Sequence, residues 1–314
     1  MEKNSILKLY QKLSLIRKVE ERIATEYSRQ LIRCPVHLSI GQEGVAVGVI
    51  SALNKEDIVM SNHRSHAHYL AKNCDISSFI NELYGTDLGC SRGFGGSMHL
   101  VDLKNNFYGS TPIVGSTIPI SAGISFADKL LNNKNYNVVF LGEGATETGN
   151  FHEVLNFASL NKLKIIFVCE NNLYSVYTHI SERQSNYFKK IKILCSAHNI
   201  DYFHVKGHET DKIYTLTKKI RNTKFKNPIL IEADTYRFLE HCGPNNDDDL
   251  RYRSKNEINK FKKCPMVYLQ KKYKYLNSKF QSIDDFNLKK VEKIFKLKRI
   301  KNENNSSLTK FIYA

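Results

Sequence analysis

Residues Val138–Asn172 read VVFLGEGATETGNFHEVLNFASLNKLKIIFVCENN, and this stretch decides the fold. Two apolar runs, Asn137–Leu141 and Lys164–Cys169, have the length and the β-branched content of buried strands. Thr148–Leu163, between them, has the spacing of a helix. Strands joined through a helix run parallel, so their carboxyl ends share one edge of the sheet. In open α/β sheets that edge binds ligands. The first run ends in Gly142-Glu143-Gly144 and the second in Glu170-Asn171-Asn172. If the strands are neighbours, a carboxylate and an amide oxygen converge. Both are hard oxygen donors of the kind magnesium or calcium prefers. Gly142 and Gly144 would let the chain turn tightly and let a ligand approach. The helix behind them would aim its amino terminus at the same point, which favours an anion such as a diphosphate. The plainer alternative is a strand–turn–helix–strand with Glu143 at a favourable helix start.

Outward from this unit the alternation continues. Ser185–His198 reads as helix, Tyr202–Val205 as strand, Asp211–Thr223 as helix and Pro228–Glu232 as strand. Upstream, Asp57–Met60 reads as a short buried strand, and a helical pattern runs through Val45, Val49 and Leu53. Ile6, Leu9, Leu13, Ile16, Ile23 and Tyr27 mark an amphipathic helix. Gly85–Ser97, GTDLGCSRGFGGS, is too glycine-rich for a helix and predicts a loop that wraps something or packs closely. Beyond Ser254 the chain reads as helical, with Phe261, Val267, Tyr268, Val291 and Ile294 as apolar contacts. The expectation is one domain: an N-terminal helical segment (1–40), an α/β core (41–253) and a basic helical C-terminal extension (254–314). The sheet is expected to be mostly parallel, with helices on both faces.

Composition narrows the function. The 314 residues carry a formal charge of +16, but 18 Lys+Arg against 5 Asp+Glu fall after Leu250. The basicity therefore belongs to the tail. It reads as a solvated helical surface or as a dock for an acidic partner. No nucleic-acid-binding motif accompanies it, so nucleic acid is not expected. Seven scattered cysteines without a CxxC pair argue against a disulfide framework or structural zinc, and for a reducing compartment. The N-terminal residues have no signal-peptide pattern, and no apolar run approaches the roughly 20 residues of a membrane span. A cytoplasmic enzyme without membrane association is expected.

Several motifs go further. GQEGVAVGV (Gly41–Val49), NHRSH (Asn62–His66), GCSRGFGGSMHL (Gly89–Leu100), FYGSTPIVGSTIPISAG (Phe107–Gly123), CENNLYSVYT (Cys169–Thr178) and TYRFLEHCGPN (Thr235–Asn245) recur along the chain. Together they resemble the α subunits of thiamine-diphosphate-dependent 2-oxo acid dehydrogenases, the decarboxylating first component, with acetoin dehydrogenase α subunits close by. The resemblance covers about Gly41 to Arg253. It implies the thiamine-diphosphate-binding fold, with helical N- and C-terminal extensions. It also implies that Glu143, Asn172 and the main-chain carbonyl of Tyr174 bind Mg2+. Arg64, Gly144 and Ala145 would hold the diphosphate, His63 would stack on or hydrogen-bond the cofactor, and Ile113 and Val114 would contact its middle. His241, on a mobile loop, and His66 are the catalytic candidates.

Most relatives have aspartate where Glu143 stands, and branched-chain members have glutamate. The family tyrosine before arginine is His63 here. PIVG (Pro112–Gly115) looks like the pyruvate and acetoin members. The resemblance further implies a β subunit in an α2β2 heterotetramer, supplying the glutamate that activates the pyrimidine. A 2-oxo acid would be the substrate and a lipoyl-bearing acyltransferase the acceptor. The alternatives are a non-oxidative carboligase of transketolase type and an inactive scaffold relative.

Three further groups have bland readings beside sharp ones. His63, His66 and His68 crowd one segment, as a zinc set or as neighbours of a phosphate-binding Arg64. His99 reads equally as packing or as cofactor lining. Asp247–Asp249 read as a solvated loop, or as partners of Arg251 and Arg253.

Overall fold

A computed structural model describes residues 1–32, 34–223 and 225–303. In chain order the elements are α1 (Lys3–Tyr27), α2 (Glu43–Ile50), β1 (Ile58–Ser61), α3 (His66–Ala71) and α4 (Ile76–Leu83). Then come β2 (Phe107–Ser110), α5 (Thr117–Leu130), β3 (Asn137–Gly142), α6 (Gly149–Leu160) and β4 (Ile165–Asn171). A two-stranded hairpin, β5 (Tyr174–Ser175) and β6 (Thr178–His179), precedes α7 (Lys190–Ala197), β7 (Asp201–Lys206), α8 (Thr210–Asn222) and β8 (Ile229–Asp234). Three helices, α9 (Lys255–Phe261), α10 (Pro265–Lys272) and α11 (Asn277–Glu303), complete the described chain. The part of the predicted C-terminal extension beyond Glu303 lies outside the described residues.

The main sheet is parallel, in the order β2-β1-β3-β4-β8-β7. Its central strands β1, β3, β4 and β8 are buried almost throughout, as expected of strands covered on both faces. Side chains alternate between two cores. Val138, Phe140, Ile166, Val168, Ile229 and Ile231 join the core under α1, α2, α3, α4, α8 and α11. Val139, Leu141, Ile165, Phe167, Cys169 and Leu230 join the one under α5, α6 and α7. Burying that much apolar side chain on each face holds the sheet between its helical layers, at about 1.5–3 kcal/mol for each large residue.

The order of the strands fixes where a ligand can sit. From β1 the chain crosses to β2 on one side, and from β3 it crosses to β4 on the other. The crevice between the carboxyl ends of β1 and β3 is thus a topological switch point. β3 and β4 are neighbours in register, Gly142 opposite Glu170, so Glu143 and Asn172 leave the sheet side by side.

The structure departs from the sequence reading in several places. A 3₁₀ turn, Glu143–Glu147, separates β3 from α6, so the helix amino terminus stands one turn back from Gly-Glu-Gly. Helix α7 starts at Lys190, five residues later than expected, and α2 stops at Ile50, short of Leu53. Strand β2 lies on the edge, and its FYGS has no continuous apolar run to signal it. Val267 is exposed, whereas Val291 is buried. The glycine-rich loop wraps a carboxylate. Glu82 accepts hydrogen bonds from the main-chain nitrogens of Ser91 (2.7 Å), Gly93 (3.0 Å), Gly95 (2.6 Å) and Gly96 (3.0 Å). Gly93 and Gly96 adopt φ of +81° and +57°, where a side chain would be strained. No helix among the described residues is long and apolar enough to cross a membrane.

Candidate active site

At the switch point lies a cleft with about 690 Å³ of free space, open on one side. Its lining comes mainly from the segments that follow β1, β2, β3, β4 and β8, and it carries both acidic and basic groups. Glu143 is buried, and its Oε1 accepts a hydrogen bond from Arg183 Nη2 at 2.6 Å. Burial pushes the carboxyl up to about 7, and the Arg183 charge opposes that rise. Glu170, also buried, lines the cleft too, with His68 Nε2 3.3 Å from its Oε2. Asn172 accepts from the Tyr174 main-chain nitrogen (3.0 Å) and donates to Gln42 Oε1 (3.2 Å). These two bonds orient its amide at the cleft wall.

A basic group lines the same cleft. Arg64 is buried and donates to the carbonyls of Leu38 (2.7 Å) and His241 (2.9 Å). Asn62 Oδ1 holds the Arg64 main-chain nitrogen at 2.8 Å. Burial and the nearby Arg237 charge bring the guanidinium down to about 10, so it stays charged at neutral pH. Three imidazoles, His37, His63 and His241, crowd beside it, with ring nitrogens within 4.8 Å of one another. Burial, helped by the Arg64 charge, lowers them to about 2, 3 and 4, so all three are neutral. Neutral imidazoles could ligate a metal. A guanidinium nitrogen 3.4 Å from His241 Nδ1 opposes a cation there and favours an anion.

The glycines of the opening motif act differently from the expectation. Gly142 has φ −85°, and neither it nor Gly144 needs a left-handed backbone. A Cβ on Gly142 would meet no atom within 4 Å, so its missing side chain leaves the cleft open rather than tightening a turn. Of the residues that the resemblance singled out, His63, Arg64, Ile113, Val114, Glu143, Gly144, Ala145, Asn172, Tyr174 and His241 all line the cleft. Ile113 and Val114, 70% and 52% exposed, stand at its mouth.

His66 does not line it. Its Nδ1 lies 2.8 Å from Glu20 Oε1 and its Nε2 2.7 Å from Ser97 Oγ, with no exposed surface. Both nitrogens are committed, so the ring braces α1 against the glycine-rich loop and has no access to a substrate. The crowded histidines thus go three ways, and they form no zinc set: His63 to the cleft, His66 to Glu20, and His68 to Ser61 Oγ at 2.8 Å. His99 is exposed, with Nδ1 3.1 Å from the Gly95 carbonyl, and is not among the residues that line the cleft.

Asp247 is buried between Arg237 and Arg253, and Asp248 reaches Lys262 at 3.0 Å. The loop bearing His241 is therefore tied down by Arg253, whereas Arg251 is exposed and takes no part. His37, Gln42, Glu170 and Arg183 escaped the sequence reading as site residues. Glu170 stood within the quoted CENN motif. Arg183 and His37 sit in irregular segments with no periodic or spacing signal.

The model of the dehydrogenase E1 component family matches residues 11–299. The chain is 35% identical over 262 residues to the pyruvate dehydrogenase E1 component subunit alpha of Rickettsia typhi, covering 83% of this chain and 79% of that protein. With the subunit of the same name from Rickettsia felis it shares 33% identity over 299 residues, 94% of this chain and 88% of the other. With that of Zymomonas mobilis it shares 34% over 271 residues, 83% and 73%. With matched segments that span sheet, cleft and helical ends alike, the chain belongs to the dehydrogenase E1 component family.

Proposed function

We propose that this chain is the α-type subunit of a thiamine-diphosphate-dependent 2-oxo acid dehydrogenase acting on pyruvate. The observation that carries this reading is the polarity of the cleft. Oxygen donors of Glu143 and Asn172 and the guanidinium-imidazole group of Arg64, His63 and His241 line one cleft, which the missing side chain of Gly142 leaves open. That donor set fits a Mg2+–diphosphate pair. The cation would rest on Glu143, Asn172 and the Tyr174 carbonyl. The diphosphate would rest on Arg64, His63 and the main chain of Gly144 and Ala145. The names of the relatives, all pyruvate dehydrogenase E1 component subunit alpha, support pyruvate over a branched substrate.

When bound, the cofactor supplies an electron sink for decarboxylation. The chain itself binds, orients and shields. Arg64 and Asn172 are pre-oriented by the bonds to Leu38, Asn62 and Gln42, so they need little reorganisation on binding. His241, held neutral by burial and the Arg64 charge, lines the cleft and can hydrogen-bond a bound substrate or cofactor there. The cleft is open beside the apolar pair Ile113 and Val114. In this reading a β-type subunit closes that side, excludes water and supplies the pyrimidine-activating glutamate in an α2β2 assembly. A lipoyl-bearing acyltransferase then takes the acyl group, in the cytoplasm.

The test is turnover of 2-oxo acids with thiamine diphosphate, Mg2+ and an artificial electron acceptor, with and without a co-expressed β-type chain. Pyruvate-dependent reduction only when both chains are present is the expected result. Turnover by this chain alone would overturn the two-subunit reading, and no turnover of any 2-oxo acid by the pair would overturn the activity.

A further inference from the structure

Resting on that reading of the cleft, we infer that Arg183 is a positioning residue for the cation site, holding the Glu143 carboxylate so that one oxygen is presented to the ion. Arg183 is absent from the cleft lining and approaches Glu143 from behind. Its Nη2 takes Oε1 at 2.6 Å, its Nη1 takes Glu147 Oε1, and its Nε donates to the Thr178 carbonyl at 3.3 Å. Among the described residues the Glu143 carboxylate takes a side-chain donor at Oε1 alone, and Glu143 lines the cleft. The guanidinium therefore fixes one oxygen and leaves the other for a ligand. Gln184 completes the grip. Its Nε2 donates to Glu147 Oε1 (2.7 Å) and to the Glu143 carbonyl (3.3 Å).

The grip also sets a span. Glu143 leaves β3, whereas Asn172 and Tyr174 begin the hairpin that follows β4. Arg183 and Gln184 follow the second strand of that hairpin, at its base, where the Ile180 main-chain nitrogen donates to the Leu173 carbonyl at 2.8 Å beside Asn172. Pinning that base to the Glu143–Glu147 turn ties the two halves of the ligand set together. A planar two-armed fork can do this and a lysine ammonium cannot. Coulomb repulsion alone predicts that removing a neighbouring cation would tighten metal binding. Positioning predicts the reverse, and the sign of the change separates the two.

The experiment is Mn2+ binding to the co-expressed α and β chains in saturating thiamine diphosphate, read from the free-ion electron paramagnetic resonance signal. Wild type is compared with Arg183→Gln, Arg183→Lys, Glu147→Gln and Glu143→Gln, each first checked for a cooperative thermal transition. Arg183→Gln is expected to weaken Mn2+ by roughly 10–100-fold, the range for outer residues that orient metal ligands. Arg183→Lys should recover only part of this, and Glu147→Gln should lose less than Arg183→Gln. Unchanged or tighter binding in Arg183→Gln, or full recovery in Arg183→Lys, would overturn the inference while leaving the cation site standing. Unchanged binding in Glu143→Gln would instead remove the cation site itself. If Arg183→Gln fails to fold, Arg183→Lys and Glu147→Gln decide: wild-type affinity in both overturns the positioning role.

Discussion

At the scale of single residues, the site combines acidic and imidazole groups that burial has moved off their ordinary ionisation. Glu143 is raised to about 7, whereas His37, His63 and His241 are lowered to about 4 or below. The signs have separable consequences for stability. A buried histidine that stays neutral binds fewer protons folded than unfolded below its ordinary value of 6.5. Its contribution is thus fully present above that pH and is lost as pH falls. A raised carboxyl does the opposite, losing its contribution as pH rises from 4.5 towards 7. Between these limits three histidines oppose one carboxylate, so the unliganded chain should lose stability as pH falls from 7 to 5. His37→Gln should flatten that slope by up to about 1.4 kcal/mol per pH unit, the value for one proton. Denaturant titrations at several pH values would check this, and an unchanged slope would mean that His37 is not held neutral by the fold.

The residue scale also divides what the sequence could show from what it could not. Glu143, Asn172 and Arg64 are legible as cleft-lining residues because each follows a strand at a motif with a distinctive residue pattern. His66 shares the NHRSH motif with Arg64 and yet lies outside the cleft. Only the three-dimensional neighbours Glu20 and Ser97 reveal that it faces away. Arg183 was illegible because its meaning lies in a partner forty positions earlier, across a hairpin.

At the scale of elements, the period of the pattern made the strands legible. β3 and β4 are apolar on both faces, so they read as buried from their sequence alone. β2 was invisible, since an edge strand with the pattern FYGS has no such run. The helix between β3 and β4 is legible to within one residue at its start, Thr148 expected against Gly149 observed, whereas the 3₁₀ turn at Glu143–Glu147 has no pattern of its own. The β3–α6–β4 unit should also dominate stability. Phe167 is fully buried in the α5–α6–α7 core and meets Phe151 edge-on at 6.5 Å. Phe167→Ala is therefore expected to cost about 3–5 kcal/mol of folding free energy, the range for a buried phenylalanine truncated in a core. Equilibrium unfolding would measure it, and a loss below about 1 kcal/mol would show that the core can collapse around the gap.

At the scale of the whole molecule, the two ends of the chain close on each other beside the sheet. Tyr10 of α1 stacks on Phe280 of α11 at 4.0 Å and donates to Asp284 at 2.8 Å, and Arg22 meets Glu292 at 2.7 Å. We propose on this basis that 1–40 and the described part of 254–314 fold with the core as one domain. The lysines at 289, 290, 293 and 296 are exposed, so over the described residues the basic tail is a solvated helix face. The same topology brings five loops to one edge, and the central claim rests on it: the ends of β3 and β4 form a cation clamp for half of a cofactor. Calorimetric titration of thiamine diphosphate with Mg2+ into the assembled chains tests it most directly, comparing wild type with Glu143→Ala and Asn172→Ala. The account predicts that each variant loses at least about tenfold in affinity, or 1.4 kcal/mol, through loss of a metal ligand. Wild-type affinity in both variants would contradict it.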